Sequence, residues 1–378
     1  MKSVYLSLLW LSRVCVSAAF ATELASSSTE KQSQIHVRWK GPRTSSSHLS
    51  STTCQAKTSD VFCLDTIRKS LIRQEETIIF AMIERSQFAQ NRIVYVPDGF
   101  PDLRCMDEND NIEECENSNG ISLLDYMLIG TEALHAKVRR YTSPEEHSFF
   151  PSQLPAARAL SDLDFPELLS PINEADQINF NDVLMKIYLN DIVPEIASEG
   201  DDEQHGSTVT CDVAVLQAIS KRVHYGKFVA ESKYQSDPEG YQKLIDADNA
   251  EGVMALLTNA AVEEKVLRRA RLKAATYGRE PLLSQMPPIE GVSDHKSEIV
   301  AAAAASAVVA AVEALNDEGE MRKGKVDPKT VEEIYRDFII PLTKDIEVAY
   351  LYRRCGRDPP RNLDPLRLME KYHNFFAH

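Results

Sequence analysis

From Leu64 onward apolar positions recur every three to four residues, the period of one helical face, and no stretch alternates as a half-buried strand does. In residues 64–89, "LDTIRKSLIRQEETIIFAMIERSQFA", Leu64, Ile67, Leu71, Ile78, Ile79, Met82 and Ile83 keep this spacing. Residues 122–141 repeat it after a polar loop. Further helices are predicted over about 178–197, 208–236, 239–247, 259–277, 297–316 and 329–355. Few glycines interrupt them. The pattern predicts an all-α, single-domain helical bundle rather than a chain of modules.

Several segments stand apart from this pattern. Residues 102–120, "DLRCMDENDNIEECENSNG", read as an acidic insert. It is not a calcium loop, because Ile112 occupies the glycine position and Ser118 the closing glutamate position. Residues 297–320 are alanine-rich and strongly helix-forming, within an insert over 289–323. The charge-free run Ile299–Val312 is too short for a bilayer, so an added surface helix, or a partner-docking one, is expected. After Gly356 the prolines of "GRDPPRNLDPLRLMEKYHNFFAH" stop the last helix and begin a C-terminal extension over 357–378.

The N-terminal residues have a different chemistry. "MKSVYLSLLWLSRVCVSAAFATE" has Lys2, an apolar run and small residues at Ser17, Ala18 and Ala19, which reads as a signal peptide over 1–19. Residues 20–58 are rich in Ser, Thr and basic side chains, like a transit peptide. The "SAAFAT" junction, with Phe20 at the new N-terminus, resembles the bipartite plastid presequences of algae with secondary plastids. It predicts a plastid stromal protein once both segments are removed. A plain signal peptide with a flexible leader, and hence a secreted protein, is the alternative.

Charge narrows the partners. Of the net −15, the first 57 residues carry +5 and the remainder −20. An acidic body argues against nucleic acid or an anionic membrane as a general partner, and no membrane is expected for the mature form. Any anionic ligand must be held by a few placed cations. The seven cysteines share no metal-ligand spacing, and free thiols are expected, with a Cys105–Cys115 bridge as the less favoured alternative.

Such cations stand in "AISKRVHYGKFVAESKYQSD", residues 218–237. Arg222 and Lys233 are 11 residues apart, about three helical turns, and so share a face. Gly226 and Val229 lie between them. A small residue flanked by two cations predicts a hollow for an anion; a solvated basic stripe is the plainer reading. Elsewhere Arg68 sits on the first long helix. Asn259 and Glu263, and likewise Thr343 and Glu347, are spaced i and i+4 and share helix faces. Pro341 predicts a kink just before Thr343.

The order of these places carries more than each alone. "LIRQEETIIFAMIERSQFA", "HAKVRRYTSPEEHSFFP", "SKRVHYGKFVAESKYQSD", "LTNAAVEEKV" and "IIPLTKDIEVAYLYRR" together resemble the eukaryotic, all-helical chorismate mutases. The likeness spans most of 64–288 and 325–355 and places the domain at 59–356. It implies a homodimer that rearranges chorismate to prephenate in one pericyclic step, without cofactor, metal or nucleophile. By motif, Arg68 and Arg222 resemble the arginines holding the two substrate carboxylates. Lys233 resembles the lysine contacting a carboxylate and the ether oxygen. Asn259 and Glu263 match the polar pair near the ring hydroxyl, Thr343 a carboxylate contact, and Glu347 the acid on the ether oxygen.

The resemblance also implies a regulatory site at the dimer interface, with tyrosine and tryptophan as effectors. Arg139 and Arg140 match its arginines, and Gly206, Ser207 and Thr210 its glycine and hydroxyls. Gln204 and His205 depart from the family's usual turn, which leaves the choice of effector open. Surface ion pairs of the two arginines with Glu145 and Glu146 are the plainer alternative. A non-catalytic helical dimer serving as amino-acid sensor or scaffold is the competing function, disfavoured because every motif position is filled.

Overall fold

The structure, a computed structural model, describes residues 63–100, 103, 120–156, 158–161, 169, 178–277, 326–364, 367–368 and 371–372. All belong to one compact unit, Gln55–His378. The signal and transit segments, nearly all of the 102–120 insert, the alanine-rich 297–320 stretch and the Cys105–Cys115 pair lie outside the described residues. Those described contain helices and turns and no strand, as the apolar period predicts.

Helix α1 (Leu64–Arg85) buries Ile67, Ile78, Ile79 and Met82 on one side, each worth roughly 1.5–3 kcal/mol relative to exposure. It packs along α5 (His205–His224). Between them come α2 (Leu123–Lys137), α3 (Asn181–Ile187) and the short α4 (Val193–Ile196). Then follow α6 (Gly226–Ser236), α7 (Pro238–Asp246), α8 (Ala250–Leu257), α9 (Ala260–Tyr277), α10 (Pro328–Ile334) and α11 (Ile340–Arg354). Helix α11 packs against α5, α6 and α8 and is buried on nearly every side, from Leu342 to Tyr352.

Ionic clamps hold this arrangement. Buried Glu75 on α1 takes a bidentate pair from Arg269 on α9 at 2.7 and 2.6 Å, with Lys273 at 3.4 Å. Arg85 and Asp212, both fully buried, join α1 to α5, and the hydroxyls of Tyr95 and Tyr188 also donate to Asp212. Such pairs specify which helices meet; breaking one strands a buried charge.

Three helix readings are corrected. The predicted helix over 208–236 is two helices, interrupted at Tyr225, so Gly226 opens α6 rather than sitting mid-helix. The stretch 329–355 is divided by a π-turn, Tyr335–Ile339, directly before Pro341. Proline has no N–H and its ring presses on the carbonyl four residues back, which opens that turn. The same device, Tyr188–Ile192 before Pro194, divides 178–197. Helix α8 was not foreseen, although the Asn249 side chain caps it by accepting from Gly252 N at 2.8 Å.

Candidate active site

Arg68, Arg222, Lys233, Asn259, Glu263, Thr343 and Glu347 all line one groove of about 430 Å³ between α1, α5, α6, α9 and α11. Apolar walls come from Ile67, Leu71, Val229, Val262 and Ile340. The hollow predicted beside Gly226 is not open space. A Cβ there would stand 2.8 Å from Thr343 Cγ2 and 3.2 Å from Glu347 Cγ. The glycine instead lets α11 approach α6, which carries Thr343 and Glu347 toward the cations.

Arg222 is buried, 5% exposed, on the last turn of α5. Its Nη1 makes one long hydrogen bond, 3.5 Å, to Thr343 Oγ1, and its Nε has no partner among the described residues. Glu347 is equally buried, and its Oε2 likewise lacks a partner. An unmet buried donor and acceptor in one groove is unusual in a settled core and is what a ligand site presents. Burial pushes the Glu347 carboxyl up to about 7, against the pull of Lys233, Arg222 and Lys344 and with some help from Glu263.

Lys233 donates one hydrogen bond to the Leu257 carbonyl at the end of α8, which fixes the ammonium at the groove wall. An ammonium has three donors, so two remain for a ligand. Thr343 spends its hydroxyl proton on Ile339 O at 2.6 Å and can donate to an anion only by leaving that bond. Arg68 is half exposed, in a surface pair with Asp65 at 3.2 Å; such pairs are weak, so the guanidinium is free to turn inward.

The expected Asn259–Glu263 helix face is also revised. Asn259 precedes the first residue of α9, and its Oδ1 accepts from Val262 N at 3.2 Å as a cap. Glu263 holds Lys344 through both carboxylate oxygens, at 3.1 and 3.2 Å. Sequence reasoning missed Lys344, a further groove cation; adjacent to Thr343, it belongs to no i, i+4 pair with the named residues.

The regulatory candidates are not gathered in one chain. Arg140 lies between α2 and α5, with Nε on Glu146 at 2.9 Å and Nη1 on Gln217 and His135, both at 2.9 Å. Its pair with Glu146 fits the plainer alternative, whereas Glu145 turns to Lys221 at 3.8 Å. Arg139 has left-handed backbone (φ 68°) and donates to Ser161 O at 2.7 Å. Gly206, Ser207 and Thr210 lie in the first turns of α5, roughly 16, 15 and 10 Å along the helix from Gln217 at 1.5 Å per residue. Among the described residues no cluster of three His, Cys, Asp or Glu is placed to hold a metal. No described helix is long and apolar enough to cross a membrane.

Fold and site together define an all-α helical bundle with a groove whose walls carry Arg68, Arg222, Lys233 and Lys344. No family model matches the chain. It is 40% identical over 293 residues to the chloroplastic chorismate mutase 1 of Petunia hybrida, covering 78% of this chain and 76% of that protein. Against the chorismate mutase of Saccharomyces cerevisiae the identity is 37% over 300 residues, covering 79% and 97%. The crystal structure of Candida albicans Aro7p chorismate mutase in complex with L-Trp superposes with a TM-score of 0.61 at 36% identity, covering 81% of this chain and 97% of that one. AtCM1 with tyrosine bound in its allosteric site gives 0.56 at 36% identity, covering 78% and 96%. The chain belongs to the eukaryotic, all-helical chorismate mutases. It is accordingly an enzyme, an isomerase that converts chorismate to prephenate.

Proposed function

We propose that the groove between α5, α6 and α11 is where chorismate rearranges. The observation that carries this is the presence of two unmet buried atoms, Arg222 Nε and Glu347 Oε2, on residues that line one groove together with Lys233. Chorismate carries two carboxylates. The planar forks of Arg68 and Arg222 suit them bidentately, with Thr343 and Lys233 adding contacts. Asn259 and Glu263 take the ring hydroxyl end. The rearrangement forms one C–C bond and breaks one C–O bond within the substrate, so the protein needs no covalent intermediate. Its work is to hold the flexible ether in the compact reactive conformer and to stabilise charge growing on the ether oxygen. Lys233 and a protonated Glu347 are the donors for that oxygen.

The regulatory site is proposed to form between two copies. Leu134 and Val138, one turn apart at the end of α2, are 63% and 47% exposed, an apolar edge suited to a homodimer contact beside Arg139 and Arg140. Placing one copy's arginines against the partner copy's α5 start would bring together the halves that a single chain keeps apart. The L-Trp and tyrosine complexes of the relatives support an aromatic amino acid as the effector. Localisation follows the same logic. The chloroplastic relatives and the basic, Ser-rich leader support a plastid enzyme with a bipartite presequence, the catalytic domain starting near residue 59.

Loss of chorismate absorbance, with and without tyrosine or tryptophan, tests both parts. The wild type is expected to turn over chorismate and to respond to at least one amino acid. Arg140→Ala or Thr210→Ala is expected to blunt the response while sparing unregulated turnover, because the two sites are distinct. Thr210 is exposed and, among the described residues, its hydroxyl bonds only to Gly206 O within its own helix turn, so its loss costs little structure. A wild type indifferent to both amino acids at millimolar concentration would sink the regulatory part alone. No turnover at all would sink the whole reading.

A further inference from the structure

The C-terminal extension does more than follow the last helix. Helix α11 ends at Arg354, and two residues on Gly356 has a φ of 70°, in the left-handed region. Gly356 N donates to Arg353 O and Arg357 N to Tyr352 O, the closing pattern that reverses a chain at a helix end. The chain then returns along the bundle. Leu363, Leu368 and Tyr372 are 5%, 0% and 1% exposed and join the main core.

What Tyr372 meets there is a buried carboxylate. Its hydroxyl donates to Asp345 Oδ2 at 2.7 Å, and Lys371 Nζ donates to the same oxygen at 2.7 Å. Asp345 is 1% exposed. Among the described residues these are its only side-chain hydrogen-bond partners, and both come from the extension. A buried carboxylate without partners is strongly unfavourable, so this acid on α11 requires the extension. Asp345 lies two residues from both Thr343 and Glu347, about 200° around the helix, and so faces away from the groove. Toward α6 the same helix is held by Glu231, which accepts from Tyr350 at 2.7 Å and from Arg354 at 2.5 and 2.9 Å.

We propose that Tyr372 and Lys371 are positioning residues for the rearrangement: clamped on Asp345, they fix the rear of α11 so that Thr343 and Glu347 meet Arg222 and Lys233 across the groove. The proposal rests on the assignment of Thr343 and Glu347 to the site. Its mechanism is geometric, because a displacement of an ångström or less at a reacting group costs rate even when its cause lies elsewhere. Tyr372 itself does not touch the groove.

The test uses the full chain with Tyr372→Phe, Lys371→Met and Asp345→Asn, each checked by thermal melting and assayed for chorismate turnover across pH. Tyr372→Phe is expected to lower kcat three- to tenfold with KM changed less than twofold. It should also displace the pH midpoint of kcat, since Glu347 changes its distance from Lys233 and Arg222. Asp345→Asn keeps an oxygen acceptor for the tyrosine hydroxyl and is expected to lie closer to wild type. Lys371 is half exposed, so Lys371→Met reads the clamp even if the tyrosine variant folds poorly; a smaller fall in kcat is expected. Folded variants that melt earlier yet keep the wild-type kcat and pH midpoint would reduce the extension to a core filler and overturn the proposal. Full turnover in Glu347→Ala would overturn the site assignment beneath it. Disabled Glu347→Ala beside an unaffected Tyr372→Phe would overturn the clamp alone.

Discussion

Arg222→Ala and Lys233→Ala are each expected to lower kcat/KM for chorismate at least hundredfold, about 2.7 kcal/mol of transition-state stabilisation. The argument for Arg222 is its placement. It is buried and charged, and its fork makes one long contact with Thr343 and leaves Nε unmet. A guanidinium held in that state has been desolvated without recompense inside the chain, and a carboxylate in the groove supplies what is missing. For Lys233 the anchoring bond to Leu257 O fixes one donor and aims the others. Truncating either side chain removes a preorganised donor where charge develops, an effect measured elsewhere in hundreds-fold. The fold is expected to survive, because Arg222 makes no ion pair among the described residues and Lys233 gives up one hydrogen bond at a helix end. Circular dichroism and size-exclusion chromatography check that. Losses below tenfold in both variants would remove these two cations from the substrate site.

How much of this was legible follows from the range of the interactions involved. The helices were, because burial of Ile78, Ile79 and Met82 leaves its period in neighbouring positions. The seven expected site residues were, but only through five segments in a known order, six of the seven inside them and Arg68 just ahead of the first; no single i, i+4 pair would have singled out the site. What escaped depends on contacts distant in sequence. Gly226 looked like a gap in a helix, yet its role is set by Thr343, more than a hundred residues away, pressing where a Cβ would be. Lys344 became a groove residue only through Glu263 on another helix. Pro341 announced its kink locally, and the same reasoning at Pro194 would have found the second π-turn. The extension read as an appendage because Tyr372 carries no mark of Asp345, 27 residues earlier. Local rules give elements and their ends; which side chains meet is decided by packing.

Glu347 is expected to give the reaction its pH dependence. A glutamate donates to an ether oxygen only when protonated, and at an ordinary carboxyl pKa near 4.3 it would be ionised at neutral pH. Here burial lifts it to about 7, with Lys233, Arg222 and Lys344 restraining the rise. A dianionic substrate lifts it further. The sign follows: kcat/KM, which reports the free enzyme, should be highest below pH 7 and fall as pH rises through about 7. The fall in kcat, which reports the bound complex, should lie at higher pH. Stability has the same direction. A carboxyl raised in the folded state contributes stability that is whole below its unfolded pKa and is lost as pH rises through the folded one, here between about 4.5 and about 7. Glu347→Gln supplies a permanent amide donor of nearly the same shape. It should retain activity, flatten the decline in rate and remove the alkaline loss of stability. Glu347→Ala, with no donor, should fall at least hundredfold below pH 7, and the deficit should narrow at higher pH as the wild type itself loses the proton. A wild-type kcat/KM flat from about pH 5 to 8 would count against this role, that window containing the free enzyme's carboxyl raised to about 7. An inactive Gln variant that still folds would do the same, leaving Lys233 as the donor to the ether oxygen and Glu347 as a group that positions it.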